Sequence, residues 1–236
     1  MTETTVIRTT ESKRLDAFVD AAFAFAVTLL LIAGAEPIIS ISGLQTALLN
    51  IPTSAACFAL VAIFWSAHRN YGRLAPTRDA LSTLLSLAVV FSVLVYVFPL
   101  RMLVSSGFHY MSRGLLPGSA LINSFEDLKL LYVVYGIGFA FLSLLFVLLF
   151  RHTAKKGDQL GATPEGQADA ADSAVVWIFC LISGLVSAVV AVVGPLTRAP
   201  FLPGFCYWII PLAIWLRYAL IRRAQRRIAR RAEQAA

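Results

Sequence analysis

Arg14-Leu15-Asp16-Ala17-Phe18-Val19-Asp20-Ala21-Ala22-Phe23-Ala24-Phe25-Ala26-Val27-Thr28-Leu29-Leu30 is the stretch that decides how the chain is read. It opens with three charges in seven residues and then runs apolar to Ala35, where Glu36-Pro37 stops it. An apolar run of this length matches the roughly 20 residues that cross ~30 Å of hydrocarbon. Within it, Phe18, Ala21, Phe25, Thr28, Ile32 and Ala35 fall at spacings of 3, 4, 3, 4 and 3, a seam on one side of a helix that can face copies of itself. Ala17, Ala21 and Ala24 are small enough to let neighbouring backbones approach closely.

Working outward, the same pattern recurs along 236 residues that are 58% apolar and 14% charged, with a mean hydropathy of +0.76. A soluble domain needs more charge than this to clothe its core, so the fold class is an all-α membrane protein. Six spans are predicted, at about 17–35, 51–68, 80–100, 126–150, 173–194 and 201–220. They sit between a polar segment, 1–13, and a basic tail, 222–236. Residues 38–50 form a short connection, and Pro52 suits a first helical turn. Pro99 is taken as the end of the third span, with a polar loop at 105–123 after it. Ser124-Phe125-Glu126-Asp127 has the capping pattern of a helix start. Residues 151–172, the most hydrophilic stretch, read as a flexible loop.

Charge sets the orientation. With the N-terminus inside, sixteen of the twenty Lys and Arg fall on the inner side, seven of them between Arg217 and Arg231; only Arg101, Arg113, Lys129 and Arg198 fall outside. That bias predicts an inner (cell) membrane protein with both termini cytoplasmic. It also accounts for the net charge of +7 without nucleic acid: the tail is an inside anchor attracted to anionic lipid. No short apolar segment with a cleavage site precedes the first span, so that helix is expected to serve as its own insertion signal. Cys57, Cys180 and Cys206 lie in apolar stretches without paired spacing and read as small fillers, with no metal site or cofactor implied.

Asp20 lies one turn inside the first span, where an unpaired carboxylate is costly. The end of the second span, Phe64-Trp65-Ser66-Ala67-His68-Arg69, is at the same depth and offers an indole donor and an imidazole. At this point Arg14-x-x-x-Phe18-x-Asp20, the Ala/Phe run to Thr28-Leu29-Leu30, and Trp65-x-x-His68 resemble the two signatures of the transmembrane protein 175 family of potassium channels. The family usually has Ser where this chain has Val19, and Ile or Leu where it has Phe25. The resemblance implies a homotetramer with four first helices around the pore, and potassium selectivity without a carbonyl-lined filter loop. It maps a hydrophobic constriction to Phe25, a threonine layer to Thr28 and a further apolar layer to Ile32. Arg14, Phe18, Asp20, Trp65 and His68 become an inner structural network.

Each of these has a plainer reading. The Thr28 hydroxyl can bond the carbonyl one turn back. Phe25 and Ile32 can face lipid, and Arg14, Asp20 and His68 can snorkel to the interface. Gly184-x-x-x-Ala188 is a weak packing pattern, and His109 and His152 read as isolated loop residues. A proton-coupled transporter is the alternative function, but no span carries a titratable group at mid-depth. An enzyme is not expected, because Asp20 and His68 alone are too thin a set for a reacting pocket. A non-conducting homologue is the other alternative, and the bulk of Phe25 is what favours it. The permeant ion expected is K+, with modest selectivity from pore size and hydroxyls.

Overall fold

In the computed structural model, the residues described are 10–33, 39–118, 122–212 and 214–215. They are helical: α1 (Thr10–Ile32), α2 (Ile41–Leu49), α3 (Ile51–Leu74), α4 (Ala80–Met111), α5 (Phe125–Lys156), α6 (Pro164–Val193) and α7 (Leu202–Phe205). No strand occurs among the described residues. By length and composition α1, α3, α4, α5 and α6 can each cross a bilayer. The sixth expected span is described as a shorter apolar helix, Leu202–Leu212. Residues 213 and 216–220 of that span, and the basic tail, lie outside the described residues, as do Ala35 and the Glu36-Pro37 stop.

Local chemistry sets the ends. Ser40, Asp79, Ser124 and Thr163 each cap a helix by accepting a backbone N–H on the side-chain oxygen. Asp79 and Ser82 form a reciprocal capping box at the start of α4. Three boundaries differ from the sequence reading. α4 continues through Pro99 for another three turns, because a proline inside a membrane helix is tolerated where neighbours support the freed carbonyl. Hence the region predicted as a loop from 105 is helical to Met111, and His109 lies on α4. The polar stretch 151–172 is not a long loop either. α5 runs to Lys156, a 3-10 turn covers Gly157–Leu160, and Thr163-Pro164 caps and starts α6. Lastly, α1 begins at Thr10, well before the apolar run; in its first turns Ser12 is buried and Asp16 pairs with Arg78.

The core lies where α3, α4, α5 and α6 meet. Phe64 of α3 stacks on Trp177 of α6 at 6.0 Å and on Phe146 of α5 at 6.4 Å, and meets Tyr96 of α4 edge-on at 6.0 Å. Phe146 and Trp177 stack at 4.3 Å. α5 and α6 form an antiparallel hairpin at backbone contact. A Cβ added at Gly136 would lie 2.7 Å from the Gly184 carbonyl oxygen, and one at Gly184 would lie 2.7 Å from that of Gly136. The small-residue pattern Gly184-x-x-x-Ala188 thus packs on Gly136 and Ala140 of the same chain. α1 docks against α3 and α4 at the edge of this core. That position leaves one of its faces turned away from the rest of the chain.

Candidate functional site

The two faces of α1 are sorted by burial. Val19, Phe23, Ala26 and Leu30 are buried against the bundle, with Ser12 below them. Phe18, Phe25 and Ile32 are 54%, 53% and 63% exposed, and Ala21 and Thr28 lie exposed beside them. At 100° per residue the centres of the two sets are about 150° apart, so the 3–4 seam points almost directly away from its own chain. Val19, where the resembling family usually has Ser, belongs to the buried set at 1% exposure. A hydroxyl there would face the core.

Thr28 shows the plainer of the two readings made of it, on an exposed face. Its Oγ1 donates to the Ala24 carbonyl at 3.1 Å, the bond one turn back. That bond uses the hydroxyl proton, so the oxygen on this exposed face presents lone pairs only. An acceptor-only oxygen between the exposed side chains of Phe25 and Ile32 is chemically able to replace part of a cation's hydration shell.

Toward the N-terminal end of α1, Trp65 Nε1 donates to Asp20 Oδ1 at 2.8 Å and joins α3 to α1. The Arg69 guanidinium lies over the Trp65 ring, 5.4 Å from its centroid. His68, 3% exposed, turns the other way: its Nε2 is 3.0 Å from Ser86 Oγ on α4, and its ring meets Tyr71 edge-on at 5.7 Å. Trp65 and His68 are one helical turn apart, yet they fasten α3 to two different helices. Arg14 is exposed on α1, and Phe18 lies on the outward seam.

Three further contacts were not anticipated from sequence. Arg78, whose side chain is 4% exposed, pairs through Nη2 with Asp16 Oδ1 at 2.9 Å. The same guanidinium stacks over Tyr71 at 4.7 Å and donates to the Ala75 and Thr77 carbonyls. Asp79 pairs with His152, Nε2 to Oδ2 2.7 Å, so His152 is a helix–helix tie on α5 rather than an isolated loop residue. Burial acts to raise the Asp79 carboxyl, but the hydrogen bonds from Ser82 and the nearby His152 outweigh it and bring it down to about 2. At the far end of α1, the buried Arg101 of α4 donates through Nη1 to the Leu30 carbonyl at 2.9 Å and to Ser54 Oγ at 3.3 Å. The signal for Arg101 was present, since a charge follows an uncharged run within one turn of Pro99. Ending the helix at Pro99 hid it.

The sequence profile of a family described as "Endosomal/lysosomal potassium channel TMEM175" matches residues 14–99, which span α1, α3 and most of α4. A protein of Marivirga tractuosa named "Potassium channel" is 27% identical over 216 residues, 86% of this chain and 85% of that one. Among solved structures, a variant of the potassium channel MtTMEM175 in complex with a nanobody–MBP fusion superposes with a TM-score of 0.73 at 26% identity, over 89% of this chain and 93% of that chain. A lysosomal potassium-selective channel TMEM175 homolog from Chamaesiphon minutus has the same fold, with a TM-score of 0.51 at 20% identity, over 89% and 98% of the two chains.

Proposed function

We propose, for a chain that belongs to the TMEM175 family, that four copies assemble in the cell membrane into a potassium-permeable channel lined by α1. The observation that carries this reading is the outward seam, in which Phe25 and Ile32 flank an exposed Thr28 on the one face of α1 that its own bundle leaves uncovered. Around an axis of copies, this face forms stacked rings, with a layer of hydroxyl oxygens between two apolar layers. Phe25 is the constriction, an apolar ring that gates by dewetting. Thr28 is the layer of oxygens that partly replaces the hydration shell, and Ile32 is the outer apolar layer. Selectivity is modest, because hydroxyls and pore size supply it. Asp20 and Trp65 hold α1 on α3, and His68 holds α3 on α4, so the inner network sets the seam's orientation without touching ions. Both termini face the cytoplasm, and the basic tail rests on anionic lipid.

The test is potassium flux into vesicles containing the purified protein, wild type beside Phe25→Ala. Flux in the wild type, raised by Phe25→Ala, is expected. Absence of flux from both forms refutes the channel reading. Flux that arises only in Phe25→Ala favours the second reading, a wild-type pore closed at the Phe25 ring, which the bulk of four phenyl groups supports.

A further inference from the structure

Arg101 is unusual in its placement. It is 6% exposed, deep in α4, and spends its guanidinium on the main chain of another helix, at Leu30 O, with Ser54 Oγ beside it. Leu30 lies in the last turn of α1, where carbonyl groups point out of the helix and carry the negative end of its dipole. Two residues on, Ile32 faces outward on the seam. A fixed positive charge therefore stands directly behind the last turn of the pore helix, on the side away from the pore. For a cation channel that sign is counterproductive, since negative helix ends around a mouth concentrate cations.

We propose that Arg101 is an electrostatic brake at the outer mouth: its buried guanidinium offsets the negative C-terminal end of α1 and lowers the local potassium concentration available for inward current. The inference rests on the reading of α1 as the pore helix with its C-terminal end outward. The guanidinium lies about one helix diameter, ~10 Å, from the pore-facing side. The intervening helix holds no mobile ions, so the field reaches the water of the mouth, where ions screen it weakly in dilute and strongly in concentrated salt, the Debye length being ~10 Å at 0.1 M and ~3 Å at 1 M.

The experiment is unitary potassium current across planar bilayers in ~0.1 M and ~1 M KCl, with Phe25→Ala as the background if the wild type is silent. Arg101→Gln keeps a donor for the Leu30 carbonyl and removes the charge. It is expected to raise inward unitary current about twofold in the dilute salt, with outward current little changed and the difference lost in the concentrated salt. Arg101→Lys keeps the charge and is expected to retain the wild-type ratio of inward to outward current. Ser54→Asp places a carboxylate against the guanidinium and is expected to act in the direction of Arg101→Gln, which keeps the test decisive if the glutamine variant does not assemble. An unchanged current ratio in the charge-altering variants overturns the proposal. So does a change of equal size at both salt concentrations, because a purely structural role is not screened. If neither wild type nor Phe25→Ala conducts at all, the pore reading fails and this inference falls with it.

Discussion

Asp16→Asn removes one side of the ion pair that anchors the N-terminal part of α1. The Arg78 side chain is 4% exposed and that of Asp16 21%, with 2.9 Å between Nη2 and Oδ1. Breaking a fully buried pair by neutralising one partner costs about 3–5 kcal/mol, and an exposed pair about 0–1. Here the charge left behind is the buried one, which argues for the upper range. Arg78 nevertheless keeps the Tyr71 ring and two carbonyl acceptors, and Asp16 is partly hydrated, which lowers the cost. The expected loss is about 2 kcal/mol, roughly thirtyfold in the folding equilibrium. Unfolding in mixed micelles of denaturing and mild detergent, followed by fluorescence of the four tryptophans, measures it. Arg78→Gln and the double variant complete a cycle with an expected coupling of about 1–2 kcal/mol. The coupling should persist in high salt, because a buried pair is poorly screened. Additivity of the single variants to within about 0.5 kcal/mol refutes the assignment of Asp16–Arg78 as the anchor.

Thr28→Val keeps the shape of the side chain and removes the oxygen; lower K+ over Na+ preference with flux retained is expected, measured as reversal potential under bi-ionic conditions. Asp79 is held down to about 2 in the folded chain, below the ~3.8 of an ordinary carboxyl. Its contribution is therefore complete above pH ~4 and lost as pH falls toward ~2. Because the Asp79 side chain is 40% exposed, screening limits that contribution to at most about 1 kcal/mol. Asp79→Asn is expected to lower the melting temperature at neutral pH by that contribution and to match the wild type near pH ~2, so that this part of the acid limb in melting temperature against pH flattens. Gly136→Val drives a side chain into the Gly184 carbonyl, and a loss of about 1–3 kcal/mol is expected in the same detergent titration.

How much of this was legible in the sequence depended on whether one helix or several had to be known. The α1 seam needed only its own spacing: Phe18, Ala21, Phe25, Thr28 and Ile32 are exposed, with Ala17, Asp20, Ala24 and Leu31 exposed beside them, and Ala35 lies outside the described residues. Asp20 and Trp65 needed two helices and their depth, which the span positions supplied. Asp16–Arg78 needed the α3–α4 turn to fold back under α1, and nothing in the linear pattern encodes that direction. The boundary errors share a cause. Pro99 and the polar run from Arg151 were weighed as breakers on water-soluble rules, whereas packing carries α4 through the first, and Thr163-Pro164, a legible helix start, divides the second. His152 went unassigned because its partner, Asp79, is a cap on another helix.

In the proposed channel, these contacts together constrain how the side chains at Phe25 could move apart. α1 is tied by Asp16 to Arg78 and by Asp20 to Trp65 at one end, and by the Leu30 carbonyl to Arg101 at the other. Rotating the helix to swing Phe25 off the axis breaks all three, at about 1–3 kcal/mol for each charged or buried polar group left without its partner. It also brings the buried set, Val19, Phe23 and Ala26, out of the core. A change of Phe25 rotamer breaks none of them, and the side chain is half-exposed within its own chain. Within a channel lined by α1, the less costly opening is therefore local to the Phe25 side chain, with the helix held in register. Weakening the ties with Asp16→Asn should then lower stability while leaving the effect of Phe25→Ala on flux intact; a Phe25→Ala effect that vanishes in the double variant would show that the helix itself turns.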